Sequence, residues 1–268
     1  MKKMISCLLS FAMFCVFAGN VLLSSIVFAQ ETLNYSCSNQ IYRAFEEENL
    51  EAFTRETGIN VAVHKASSAV SVNRLVHGYS DIASTARELY HRHSDYGYKQ
   101  IPVCKDILAV VAKKTCKIDN ISEEQLRDML SGEITNWSEV GGADLPVMVI
   151  VPDEETAANK NFRRHVMKEK EIKHDFVTYD SSMVLEAIRY FPCGAISFVS
   201  YGAAMHYEDI AAIKIDNRLP TDSDYPYFQV FYYVTKGEPS GVVKKLIDFS
   251  TTGKGREIIK KNGMIPMN

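Results

Sequence analysis

The sequence predicts an α/β protein with largely parallel sheets. Segments of strand-like rhythm alternate with segments of helical rhythm along most of the chain. The runs 107–112, 147–151 and 195–199 are apolar almost throughout, the pattern of strands covered on both faces. Gly58, Gly78 and Gly263 stand where helical patterns stop.

The elements follow in order. Residues 33–36 form a short strand-like run. A helical pattern over 40–57 places Ile41, Phe45, Leu50 and Phe53 on one face. Residues 59–63 then alternate as a strand, and 71–77 read as a helix closed by Gly78. After the strand 107–112, a helix over 122–130 carries its own start signal. Ser122 caps it, and Gln125 three residues on completes a capping box. Strand 147–151 and helix 157–167 come next, followed by a helix over 183–190 capped by Ser181 or Ser182. Strands are expected at 195–199, 213–215 and, rich in aromatics, 228–234. Helices over 242–250 and 255–262 complete the chain. No repeat, low-complexity tract or Pro/Gly-rich linker interrupts this order. Two domains would therefore be joined by strands rather than by a loose tether.

The 268 residues carry 30 Lys+Arg against 33 Asp+Glu, a net charge of −3, and 46% are hydrophobic. These proportions exclude a disordered chain, and the absent basic surplus argues against a nucleic-acid partner. The length suits two moderate domains or one large one. Lys2 and Lys3 precede an uncharged stretch from Met4 to Ala29, which ends in Val27-Phe28-Ala29 with small residues where a signal peptidase reads. This predicts a signal peptide over 1–29 and a periplasmic protein; a retained anchor is the alternative for so long an apolar stretch. Cys7 and Cys15 lack the small residues that a lipoprotein signal places before its cysteine. Beyond them stand Cys37, Cys104, Cys116 and Cys193. Export permits disulfides, three pairings are open, and small buried thiols are the other reading.

No G-x-S-x-G, HExxH or Gly-rich phosphate loop is present. No spacing supports a nucleophilic pair of Cys37 or Cys193 with a histidine. The expectation is a non-enzyme without cofactor or metal. His91, His93 and Asp95 read as a solvated polar loop rather than as metal ligands.

Four segments, in order, resemble the phosphate-binding-protein-like group of periplasmic solute-binding proteins, the receptors of ABC importers. Residues 81–87, Asp-Ile-Ala-Ser-Thr-Ala-Arg, resemble that family's DIAxxSR segment. Residues 133–142, Glu-Ile-Thr-Asn-Trp-Ser-Glu-Val-Gly-Gly, match its G-x-I-T-N-W-S-x-V-G-G segment closely. Residues 194–199 are similar to its G-A-I-G-Y-V strand, and 249–266 to its closing helix and strand. The resemblance implies a type II fold of two lobes with a ligand cleft between them and a hinge motion that closes it. It implies lobe 1 from 30–105 plus 221–268 and lobe 2 from 106–220, with crossings near 102–106 and 220–227. It further implies a monomeric receptor for a small solute, with an inner-membrane ABC permease as partner.

A dry cleft that holds an oxyanion needs donors: helix N-termini, short hydroxyl side chains and a guanidinium. Three junctions offer them, at 37–40, 67–69 and 154–158. By resemblance Ser38, Asn39, Ser68, Asp81, Arg87 and Thr156 form the ligand site, with Asp81 as acceptor of a ligand proton. Trp137 reads as packing under a turn, and most of Tyr225, Tyr227, Tyr232 and Tyr233 as packing within and between lobes. The chain departs from the family pattern at Pro152, where phosphate binders carry an Arg, and at Thr156-Ala157-Ala158, which replaces Ser-Gly-Thr. Ser67-Ser68-Ala69 replaces Gly-Ser-Gly, and Cys37 replaces a glycine. Glu154 and Glu155 add negative charge beside the cleft. The function expected is the extracytoplasmic receptor of an ABC importer for a phosphate-like oxyanion or other small polar solute. The alternative is a sensor or assembly module that kept the fold with an altered or lost site.

Overall fold

A computed structural model describes residues 31–168, 170–179, 183–191 and 194–267. The signal segment 1–29, the Ser181 or Ser182 cap and Cys193 lie outside the described residues. The chain opens with β1 (Thr32–Ser38) and α1 (Asn39–Ile41), which continues through a π-turn at Tyr42–Glu46 into α2 (Glu47–Thr57). Then come β2 (Asn60–Ala66), α3 (Ser68–Val76), β3 (Ile82–Thr85), α4 (His91–Asp95), β4 (Tyr98–Lys113), β5 (Asn120–Ile121) and α5 (Glu123–Ser131). After β6 (Val147–Pro152) follow α6 (Ala157–Phe162), β7 (Phe176–Thr178), α7 (Met183–Tyr190), β8 (Gly194–Ser200), α8 (Tyr201–Ala204), β9 (Ile210–Ala212) and β10 (Lys214–Ile215). The chain closes with β11 (Phe228–Lys236), α9 (Gly241–Thr251), α10 (Gly253–Lys261) and β12 (Ile265–Pro266).

The architecture turns on β4, 16 residues long. Its first part pairs antiparallel with β11, up to Ile107 opposite Phe228, and Leu108 to Lys113 pair antiparallel with β8 and β9. One sheet thus runs β2-β1-β3-β11-β4 and continues through β4 into β8-β6-β7. The outer strands are parallel, β1 with β2 and β3, and β6 with β7 and β8. The expectation of largely parallel sheets is therefore corrected at the centre. A chain that leaves one half and later returns lays its two traversing segments side by side in opposite directions, and antiparallel neighbours need no crossover helix.

Alternation along β4 explains its apolar run. Leu108, Val110 and Ala112 pack with Leu126, Trp137, Phe162 and Phe198 on one face, while Ala109 and Val111 meet Ile150, Val184 and Ile188 on the other. In the first half, Phe45, Phe53, Leu246 and Ile258 cover one side of the sheet, and Val72 and Leu75 the other. Phe162 stacks on Phe198 at 3.8 Å between ring centroids. Tyr225, Tyr227 and Tyr233 are buried, and Tyr232 is half-buried.

Local signals set the helix ends. Gly58 takes φ +72° at the stop of α2, and the Ser122–Gln125 capping box opens α5. α3 begins at Ser68, earlier than its apolar pattern, because the Ser67 hydroxyl accepts from the Val70 N–H. Residues 91–95, expected as loop, form the single turn of α4.

The 133–142 segment serves packing. Asn136 Oδ1 accepts from Ser138 N, and Glu139 Oε1 accepts from Thr135 N and Asn136 N, at 2.9 to 3.0 Å. This turn drives Trp137 fully into the core, where its Nε1 donates to Gly194 O at 2.7 Å. A Cβ on Gly194 would lie 2.1 Å from that nitrogen, so only glycine fits.

One polar cluster lies inside the first half. The Tyr233 hydroxyl sits 2.7 and 2.9 Å from the two oxygens of fully buried Glu46 and 2.8 Å from Ser250 Oγ. Asn49 Nδ2 donates to Ser250 Oγ at 2.8 Å. Burial pushes the Glu46 carboxyl up to about 7, against the pull of the Tyr233 and Asn49 donors.

Candidate functional site

The C-terminal ends of β1, β3, β6 and β8 converge on a cleft of about 590 Å³, the place where open α/β sheets bind ligands. Its walls come from both halves. Ser38, Asn39, Arg43, Ser67, Ser68 and Arg87 line one side, Asp153, Glu155, Thr156, Ser200 and His206 the other, and Asp106 of β4 lies where the halves join.

A continuous hydrogen-bonded chain runs along the wall. Ser38 Oγ and Ser68 Oγ are 3.1 Å apart, and Ser68 Oγ accepts from Ala86 N at 3.1 Å. Asn161 Nδ2 donates to Ala86 O at 3.1 Å and to Gln229 Oε1 at 3.0 Å. Gln229 Nε2 donates to Asp106 Oδ2 at 2.7 Å, and Ser200 Oγ donates to Asp106 Oδ1 at 2.5 Å. The chain ties together β1, α3, β3, α6, β11, β4 and β8, so the side chains facing the cleft are held in place by one another.

The charges are unevenly placed. Arg87 makes no ion pair among the described residues. Glu155 is neutralised by Lys160. Asp153 Oδ1 accepts from Glu155 N at 2.8 Å, a turn that leads into α6. Asp106 is 1% exposed and has only neutral donors. Burial pushes its carboxyl up to about 6, while Ser200 and Gln229 draw it back down.

Five of the six residues expected at the site line this cleft: Ser38, Asn39, Ser68, Arg87 and Thr156. Ser38 makes no side-chain bond to the helix it precedes; its hydroxyl turns to Ser68 instead. Thr156 caps α6 by accepting from Asn159 N at 3.2 Å. Asp81 lies elsewhere. Its exposed carboxylate accepts from Asn34 N at 2.8 Å and Nδ2 at 3.3 Å, before the start of β3, whereas Arg87 follows its end. Asp81 and Arg87 thus occupy opposite ends of one strand, and only the C-terminal end faces the cleft. Glu154 also stays outside the lining, and Pro152 uses its carbonyl to accept from Asn159 Nδ2 at 2.6 Å.

Asp106 and Ser200, which line the cleft, were not expected as site residues, nor were Gln229 and Asn161, which reach Asp106 through hydrogen bonds. The available signal was one acid at the head of the apolar run 107–112 and one amide in the aromatic strand 228–234. Cys37 and Cys104 are buried and unbridged and Cys116 is buried, and burial raises the Cys37 thiol far above its ordinary value, so it is a poor nucleophile. Among the described residues no group of three or more His, Cys, Asp or Glu side chains could hold a metal ion.

The halves touch at the cleft itself, where Gly202 and Asn262 stand in the lining. A Cβ on Gly202 of α8 would lie 2.0 Å from Asn262 O, and one on Gly263 would lie 2.8 Å from Gly202 Cα. Two glycines permit this contact between α8 and the turn after α10.

Two α/β halves joined by paired strands, with a polar cleft at their strand ends, define a two-lobe binding-protein fold of type II. The chain belongs to the PBP superfamily, whose domain signature matches residues 28–254. It is 26% identical to the phosphate-binding protein PstS of Borreliella burgdorferi over 216 residues, 74% of this chain and 76% of that one. A Clostridium perfringens protein, assigned as the substrate-binding protein of a phosphate ABC transporter and solved with bound phosphate, superposes with a TM-score of 0.77 at 23% identity. That match covers 89% of this chain and 100% of the other. An ABC-type phosphate transport receptor from Vibrio cholerae gives a TM-score of 0.71 at 23% identity, covering 88% of this chain and 100% of its own.

Proposed function

We propose that the protein is the extracytoplasmic receptor of an ABC importer, capturing a small oxyanion-bearing solute in the cleft and delivering it to an inner-membrane permease. The observation that carries this reading is the array of Ser38, Ser68, Thr156 and Arg87 around one cleft at the strand ends. Hydroxyls and a guanidinium without an ion-pair partner among the described residues suit an oxyanion. The relatives named above bind phosphate, which supports the solute class. Lobe 1 is 30–105 plus 221–268 and lobe 2 is 106–220; the change of β4's partner from β11 to β8 after Ile107 supports the first boundary. The receptor works as a monomer in the periplasm after export through residues 1–29, and among the described residues no helix is long and apolar enough to cross a membrane.

The presence of Asp106, Asp153 and Glu155 in the cleft lining favours, as second reading, a sensor or assembly module with an altered site. Thermal shift and titration calorimetry separate the two. An inorganic and organic oxyanion panel should contain a ligand that binds one-to-one and raises the melting temperature with concentration. No rise with any member refutes the receptor and leaves the module.

A further inference from the structure

The cleft lining holds both oxyanion donors and a buried carboxylate, and we infer that the ligand is a zwitterion. An oxyanion sits at Ser38, Ser68 and Arg87, and a short organic linker carries an ammonium group to Asp106. This rests on the receptor reading above and names the substrate class of the same site.

The carboxylate of Asp106 is the first support. It lines the cleft, is 1% exposed, and receives one hydrogen bond on each oxygen, from Ser200 and Gln229. Each carboxylate oxygen accepts more than one hydrogen bond, so both keep capacity toward the cleft. Neither donor is charged, and no cation pairs with it among the described residues. A buried carboxylate without a counter-charge is unfavourable. Gln229 is itself held by Asn161, which is anchored on Ala86, so the carboxylate keeps its place in the lining. An ammonium from the ligand supplies the missing charge and fills the open acceptor positions.

A bare dianion fits less well. It would share the cleft with Asp106 and Asp153, and like charges in a partly dehydrated space repel. The cleft, about 590 Å³, has room for a small organic molecule, within the roughly 300–1,000 Å³ typical of such sites.

Calorimetry on the purified protein with inorganic phosphate, ethylphosphonate and 2-aminoethylphosphonate tests the inference. The aminated probe should bind at least about tenfold tighter than ethylphosphonate, the ratio one charge-assisted hydrogen bond supplies. Asp106→Asn should bring that ratio to within about twofold, whereas Ser68→Ala should weaken both phosphonates alike. Tighter binding of inorganic phosphate than of the aminated probe, or a ratio that survives Asp106→Asn, overturns the inference and leaves the receptor standing. Absence of heat and of any melting shift with all three overturns both. If Asp106→Asn does not fold, the wild-type ratio decides alone.

Discussion

Replacing Glu46 by Gln should abolish part of the pH dependence of stability. The folded state holds the Glu46 proton more firmly than the unfolded chain does, because burial raises the carboxyl from 4.5 to about 7. Its contribution is fully present below the unfolded value and is lost as pH rises through about 7. At about 1.4 kcal/mol per tenfold change in proton affinity, the loss is on the order of 3 kcal/mol. Asp106 acts with the same sign in a lower window, since its carboxyl rises from 3.8 to about 6. Between about pH 4.5 and 7 the wild type should therefore lose on the order of 3 kcal/mol more than Glu46→Gln, whose remaining decline, from Asp106, ends near 6. The amide oxygen still accepts from Tyr233. The two proteins should then lie within about 1 kcal/mol of each other near pH 5. Urea denaturation followed through Trp137, the only tryptophan, reads this directly. Parallel stability curves for the two proteins between about pH 4.5 and 7 would refute the assignment of the proton to Glu46.

Three further outcomes concern the site. Gly202→Ala places a methyl group 2.0 Å from Asn262 O, so the halves must separate; ligand affinity should fall at least about tenfold by depletion of the closed state. Small-angle scattering should show no ligand-induced compaction, and compaction equal to wild type would remove this contact from closure. Ser68→Ala takes a partner from both Ser38 Oγ and Ala86 N and should weaken inorganic phosphate at least about fivefold, by a lost hydrogen bond of about 1 kcal/mol. Asp81→Asn, at the far end of β3, should change that affinity less than about twofold. Calorimetry that reverses this order would move the site to the other end of the sheet.

Much of this was legible because the signals are local. A hydroxyl at a helix start, its partner three residues on, and a glycine at the stop all lie within one turn. The sequence therefore located Ser38, Ser68 and Thr156 at loop-to-helix junctions that face one cleft. Trp137 was legible as packing because the Asn136–Glu139 turn beneath it is also local. Asp81 was misplaced for the complementary reason. It shares a segment with Arg87, but a strand carries six residues' difference across the whole sheet, and sequence proximity does not say which end faces the ligand.

By itself the sequence determined the α/β class, most element positions and the residue types that face the cleft, since periodicity and capping act over a few residues. Tertiary structure alone decided the antiparallel centre and the environment of Asp106. Its two donors stand 94 and 123 residues away in the chain, and hydrogen bonds between such distant side chains leave no periodic trace for a sequence to carry.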